Sequence, residues 1–377
     1  MMSNLNDLSK PCLVPSSANI LVTGGAGFIG SNYIRYVLEK TDFIGTIVNY
    51  DKLTYAGNLL NLTEIEKKFG GRKYYFERGD INDYKKVREV IQKFNITVIV
   101  HFAAESHVDR SIFGPKDFVE TNINGTFTLL ETARDLWKGR TDVRFHHIST
   151  DEVYGSLGDT GTFLETTPYD PRSPYSASKA ASDHLVRAYF HTYGLPVTIS
   201  NCSNNYGPYH FPEKLMPLII LNAIEGKPLP VYGDGRNVRD WLYVEDHCEA
   251  IWLILNKGNA GETYNIGGEC EKQNIEVVKE ICEVLDQLYP IKDNPRASKI
   301  TRYSDLITFV GDRPGHDRRY AINCDKIKNG LGWKQRHSFS AGLTSTISWY
   351  LNNTEWIQSI RSGEYAKWID KNYVQRS

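Results

Sequence analysis

The sequence predicts an α/β protein: a doubly wound parallel sheet, followed by a smaller unit in the C-terminal half. Three observations carry this. Short β-branched runs alternate with helical patterns from about residue 20 to residue 200. Two of those runs, Ile20–Val22 and Val98–Val100, are apolar without alternation, as expected of strands covered on both faces. The first run leads directly into glycines and then into a helical pattern.

Taken in order, the candidate strands are Ile20–Thr23, Thr46–Tyr50, Lys73–Glu77, Thr97–Phe102, Val143–Ser149 and Pro196–Asn201. Helical patterns lie between them near 28–40, 58–68, 83–94, 115–137 and 174–193. Residues 1–18 are polar and read as a loose tail. After about residue 206 the rhythm changes: Pro208, Pro212, Pro217, Pro228 and Pro230, with Gly207, Gly226, Gly233 and Gly235, mark a loop-rich stretch. Buried-looking pieces return at Trp241–Leu255 and Thr263–Ile266, and a helix is expected over Ile275–Leu288.

Composition narrows the function classes. The 377 residues carry 44 Lys+Arg and 45 Asp+Glu, a formal charge of −1, with 41% apolar and 24% charged residues. These values exclude intrinsic disorder and collagen-like repeats. The neutral balance gives no support for a nucleic-acid surface. No run approaches the roughly 20 uninterrupted apolar residues of a membrane span, and the first 19 residues lack the apolar core of a signal peptide. Six scattered cysteines without a C-x-x-C pair argue against zinc and against a disulfide framework. The expectation is a cytoplasmic globular protein with no metal, no nucleic-acid partner and no membrane partner.

The first chemical signal is Gly24-Gly25-Ala26-Gly27-Phe28-Ile29-Gly30, between a strand and a helix. It reads as G-x-x-G-x-x-G from Gly24 or as G-x-G-x-x-G from Gly25. Glycine lets the turn stay tight and the backbone approach a pyrophosphate, which then faces the N–H groups of the helix. Asp51, ending the second strand, can accept hydrogen bonds from an adenosine ribose and repel a 2′-phosphate; this favours NAD over NADP, although neighbouring Lys52 weakens the charge argument. Asp80 can contact adenine or cap a helix, and Phe102-Ala103-Ala104 supply small residues beside a cofactor. The fold expected is therefore Rossmann-like, with a smaller C-terminal substrate-binding domain. The units expected are a tail (1–18), an NAD-binding unit (19–205 plus about 240–268), a substrate-binding unit (about 206–239 plus 269–350) and a C-terminal segment (351–377).

Tyr175 and Lys179 stand at i and i+4, on one helical face. A nearby ammonium stabilises a phenolate and lowers the tyrosine pKa from about 10. Asp151 and Glu152 follow the fifth strand, where ligands of an open α/β sheet bind. Proximity pushes two carboxyl pKa values apart, so one can act as acid and the other as base.

With these residues in place, the sequence resembles the extended short-chain dehydrogenase/reductase family, and within it the 4,6-dehydratases of sugar nucleotides. The resemblance runs from about residue 19 to about 350. It rests on Thr23–Gly30, Asp51–Asn58, Ala103–Ser111, Ser149–Gly155, Tyr175–Lys179, Asn201–Pro208, Asn237–His247 and Asp312–Arg319. The Asp151–Glu152 pair and the Asp312–His316 run are its narrower marks. The resemblance implies a redox-neutral dehydration of dTDP-glucose to a 4-keto-6-deoxy sugar nucleotide through bound NAD. Tyr175 would take the C4 hydroxyl proton, Thr150 would hydrogen-bond that oxygen, and Lys179 would tune Tyr175. Glu152 would remove the C5 proton and later return it, while Asp151 would protonate the departing C6 hydroxyl.

The same resemblance implies NAD contacts from Gly24, Gly27, Phe28, Ile29 and Gly30 at the turn, and from Asp51, Lys52, Leu53 and Thr54 after the second strand. It adds Asp80 and Ile81, then Phe102, Ala103, Ala104, Glu105 and Ser106, and finally Thr121, Tyr175, Lys179 and Asn205. Substrate contacts are implied for His107, Thr150, Asn204, Lys214 and Leu215. Pro230, Tyr232, Arg239, Asn274, Asp312, Arg313 and His316 join them, with the two arginines suited to a pyrophosphate. The helices at 115–137 and 174–193 would pair across a homodimer. Two rivals stand beside this reading. A sugar-nucleotide 4-epimerase, or a dehydratase of another nucleotide, would keep Tyr175 and Lys179; an epimerase has no need of the acidic pair. An NAD-sensing regulator could dispense with the Tyr–Lys pair.

Overall fold

A computed structural model describes residues 16–360. Its strands are β1 (Asn19–Thr23), β2 (Thr46–Asp51), β3 (Tyr74–Arg78), β4 (Val98–His101), β5 (Arg144–Thr150), β6 (Val197–Cys202), β7 (Asn204–Tyr206), β8 (Leu229–Tyr232), β9 (Val238–Tyr243), β10 (Thr263–Ile266), β11 (Glu271–Gln273) and β12 (Ile307–Val310). Seven of them form one sheet in the order β3-β2-β1-β4-β5-β6-β10, every neighbouring pair parallel. The strand order reverses between β1 and β4, the point at which an open α/β sheet leaves a crevice for ligands.

The lack of alternation in β1 has a direct cause. Ile20 and Val22 enter a core with Tyr33, Ile34 and Val37 on one face. Leu21 enters the opposite core with Val48, Val87 and Leu129. Both faces are covered, so each position must be apolar.

The second unit holds a three-stranded sheet, β11-β9-β7, and the pair β12-β8. Helices Leu215–Ile224, Asn274–Leu288 and Phe339–Asn352 enclose its core of Ile219, Ile220, Val277, Ile281, Leu343 and Ile347. β9 belongs to this small sheet; helix Val244–Lys257 and β10 return to the large one. Helix Leu215–Ile224 falls within the stretch read as loop-rich. Its proline, Pro217, sits in the first turn, where a missing N–H costs nothing. The helical stretch expected at 115–137 runs as Pro115–Phe118, a wider π segment Val119–Gly125, and Thr126–Leu136.

Candidate active site

A cavity of about 1310 Å³ runs along the carboxyl ends of the large sheet, from the glycine turn to helix Leu215–Ile224. At the turn, Gly24 has φ +69°, and a Cβ there would lie 2.6 Å from the Ala103 nitrogen; only glycine satisfies both conditions. A Cβ on Gly30 would collide with the Gly24 carbonyl, so the following helix packs directly on the turn. The Asp51 carboxylate accepts from the Ala26 and Leu53 amides at 2.9 and 2.8 Å, which fixes it at the cavity edge with lone pairs to spare. Lys52 is paired with Asp80 at 2.6 Å. Its charge is thereby committed, which removes the argument that Lys52 would welcome a 2′-phosphate. Asp80 also accepts from the Asn82 amide, and the helix that follows is capped by Asp83 instead. Glycine turn, ribose-facing carboxylate and small residues along Phe102–Ser106 together fit a dinucleotide.

The reacting end is set by two local structures. Ser173 and Ser176 form a reciprocal cap, with Pro174 at the first helical position, so helix Pro174–Tyr193 starts one residue before Tyr175. Tyr175, Lys179 and Asp183 then share one face at four-residue spacing. Thr150, closing β5, caps the single 3₁₀ turn Asp151–Tyr154 by accepting from the Glu152 amide at 3.3 Å. This turn directs the acids inward: Asp151 is 1% exposed, and Glu152 is half-buried at the cavity.

Their environments differ. Burial, and then the charge of Glu152, push the Asp151 carboxyl well above the usual range, which favours its protonated form. Burial also raises Glu152, but Arg313, Lys214 and Arg239 pull it back, so it is the better candidate for the ionised partner.

Lys179 corrects one expectation. Its Nζ donates to the Ile148 carbonyl at 2.8 Å and lies 3.3 Å from His147 Nε2. Burial lowers it to about 8. Burial, and then the charge of Glu152, raise the Tyr175 phenol, with Thr150 acting in the opposite sense and Asp151 adding to the rise.

Across the cavity, two adjacent residues of the large unit reach the small one in opposite senses. Asp109 receives Arg313 at 3.4 Å and the Tyr232 hydroxyl at 3.0 Å. Arg110 pairs with Glu213 at 2.9 Å and lies 3.8 Å over the Tyr55 ring. Lys214 donates to the Ser106 carbonyl at 2.7 Å. Arg239 stacks 4.3 Å over Tyr320 and donates to the Asp317 carbonyl.

Of the residues expected at the cofactor, all but Leu53 line the cavity; Leu53 instead takes the left-handed φ of +59° that turns the chain beyond Asp51. Thr150, Asn204, Lys214 and Leu215 line it as well. His107, Pro230, Tyr232, Arg239, Asn274, Asp312, Arg313 and His316 do not. His107 bonds the Glu213 carbonyl, and His316 bonds Asp312 at 2.6 Å. The sequence reading passed over Tyr55, Asp109, Arg110 and Glu213. Asp109-Arg110 lie inside the Ala103–Ser111 match and Glu213 precedes Lys214, so opposite charges next to matched residues were the available signal.

The family described as GDP-mannose 4,6 dehydratase matches residues 21–346. A dTDP-glucose 4,6-dehydratase of Xanthomonas campestris pv. campestris is 57% identical over 354 residues, spanning 92% of this chain and 97% of that protein. The crystal structure of dTDP-glucose 4,6-dehydratase from Bacillus anthracis in complex with NAD is 47% identical. It superposes with a TM-score of 0.80, covering 92% of this chain and all (100%) of that one. DesIV, a dTDP-glucose 4,6-dehydratase from Streptomyces venezuelae with NAD and TYD bound, is 44% identical with a TM-score of 0.82, covering 91% and 100%.

Proposed function

The chain belongs to the GDP-mannose 4,6 dehydratase family, and from that premise we propose how it works as an NAD-dependent hydro-lyase that converts dTDP-glucose to dTDP-4-keto-6-deoxyglucose. NAD, when bound, supplies the hydride acceptor for C4 and the hydride donor for C6. The residues that would hold it are those of the glycine turn, Asp51 and the Phe102–Ser106 segment.

The chain's own side chains would move the protons. Tyr175, as the phenolate that the charges of Lys179 and bound NAD would favour, takes the proton of the C4 hydroxyl. Once C4 is a ketone, the C5 hydrogen is acidic, and Glu152 removes it. Asp151, whose burial favours the protonated form, gives its proton to the C6 hydroxyl, which departs as water. Glu152 then returns its proton to C5. Lys179, its ammonium fixed by the Ile148 carbonyl, would present positive charge to the cavity that holds the cofactor. Lys214, which lines the cavity, suits the diphosphate of the substrate, and Arg239 and Arg313, outside its lining, add to the positive field that reaches Glu152. The observation that carries this reading is the unequal acid pair that lines one cavity with Tyr175: an epimerase has no task for a carboxyl whose burial favours its protonated form.

The proposal includes a homodimer. Phe127 and Tyr193, 48% and 55% exposed on the helices expected to pair, offer an apolar face. It also places the enzyme in the cytoplasm; among the described residues no helix is long and apolar enough to cross a membrane. The test is incubation with dTDP-, UDP-, CDP- and GDP-hexoses. A keto sugar lighter by one water is expected from dTDP-glucose, and an isomerised hexose of unchanged mass overturns the reading.

A further inference from the structure

The hydride that leaves C4 has to come back to C6, and this inference rests on that reading of the reaction. Between the two transfers the cofactor must stay on the protein in its reduced form. A molecule of NADH lost midway would leave an oxidised sugar and a site unable to finish the cycle.

Residues 207–214 lead from β7 into helix Leu215–Ile224, and they reach all three loops that the reading gives to the cofactor. At the glycine turn, the His210 ring stacks on Phe28, the first residue of the following helix, with centroids 4.1 Å apart. Beyond Asp51, the Phe211 ring meets the Tyr55 ring edge-on at 5.7 Å. Beyond β4, Lys214 Nζ donates to the Ser106 carbonyl at 2.7 Å, and Glu213 receives the Arg110 Nε–H at 2.9 Å. His210, Phe211, Glu213 and Lys214 all line the same cavity as the glycine turn and Asp51.

One side chain ties this segment to two of the loops at once. While Arg110 holds Glu213, its guanidinium lies 3.8 Å over the Tyr55 ring, and the Tyr55 hydroxyl donates to Glu105 at 3.2 Å. The Glu213 side chain is 2% exposed and that of Arg110 24%, so water screens the pair little. A carboxylate left alone at that depth is costly, which makes a closed pair the stable arrangement.

We propose that residues 207–214 form a strap that retains the nicotinamide cofactor, with Arg110 as its clasp, so that NADH stays on the protein until C6 has been reduced.

The test measures how fast NAD leaves the full-length holoenzyme. The protein is desalted, and the NAD remaining per protomer is read by chromatography over time. The unaltered enzyme is compared with Arg110→Gln, Glu213→Gln and the double variant. Each single variant is expected to lose NAD roughly 10-fold faster or more, the usual worth of a hydrogen bond to a charged group. The double variant should be no faster than the faster single one, because the two side chains act as one contact. During turnover of dTDP-glucose the variants should also shed NADH, read by its oxidation with pyruvate and lactate dehydrogenase, together with a nucleotide sugar lighter than the substrate by two hydrogens. Phe211→Ala loosens the strap without touching the ion pair, and it too should lose NAD faster; it carries the test should the charge variants fail to fold. Unchanged retention in the folded variants overturns the strap. A double variant whose loss is the product of the two single effects overturns the clasp. An unaltered enzyme that sheds NADH as readily as the variants overturns the task given to both. If the unaltered enzyme makes no keto sugar while the variants still lose NAD faster, the dehydratase reading falls and the strap stands.

Discussion

Asp151 and Glu152 are joined by one peptide bond and yet sit in opposite fields. The carboxyl of Asp151 faces Thr150 and two anions, Glu152 and Asp240, which outweigh Arg239. Glu152 faces three cations. Sequence alone offers two equivalent acids; the assignment of roles comes from the turn, which points one of them towards Arg239, Arg313 and Lys214. Glu152→Gln should therefore still bind NAD but lose exchange of the C5 hydrogen with solvent, with turnover down by roughly 10²- to 10⁴-fold. Mass spectrometry of product formed in deuterated water measures this, and normal deuterium uptake at C5 would remove Glu152 from the base role. The glycine turn, Asp51 and the acids were legible from residue type and spacing. The target of Lys179 was not, because four-residue spacing fixes a helical face but not the partner that a flexible ammonium finds.

At the scale of elements, the π segment Val119–Gly125 sets the shape of the cofactor groove. A regular helix here would rotate the following residues off their partners. With the wider turn, Thr121 lines the cavity while Asn122, 1% exposed, ties three elements together. Its side chain accepts from the Glu105 amide at 2.9 Å and donates to the Glu105 carbonyl at 3.0 Å and to Ser178 at 2.8 Å. Asn122→Ala would leave those buried groups unpaired, at a cost of about 2–3 kcal/mol. The expected result is a lower urea midpoint with an unchanged slope, together with weaker NAD binding through the released Glu105 loop. An unchanged midpoint would show the amide to be dispensable. The sequence revealed the helix but not its widening, since apolar spacing alone does not say where a turn takes in an extra residue. It hid helix Leu215–Ile224 for the opposite reason, a proline that reads as a breaker unless its place in the first turn is known.

Across the whole molecule, buried histidines must stay neutral, among them His147 on β5 and His247 on helix Val244–Lys257. Burial holds His147 at about 4 and His247 at about 3, below the usual 6.5. The unfolded chain therefore takes up protons below about pH 6.5 that the folded chain refuses, so stability falls as pH drops from there towards 4. Each such group contributes a slope of about 1.4 kcal/mol per pH unit within its window. Denaturant titrations at pH 7, 6, 5 and 4 should show a midpoint that is nearly flat above 6.5 and declines steeply below it. A midpoint independent of pH over that range would mean that these rings are hydrated. None of this could be read from the sequence, in which a histidine on a strand looks the same whether it faces a core or water.

The last described helix, Thr354–Ile360, reaches back to the glycine turn. The indole N–H of Trp356 donates to Asn61 at 2.6 Å, and the Asn61 amide in turn donates to the Ala26 carbonyl inside that turn at 2.8 Å. During synthesis Asn61 thus leaves the ribosome 295 residues ahead of Trp356. A nascent chain that already displays its nucleotide cradle lacks this brace until Trp356 has followed.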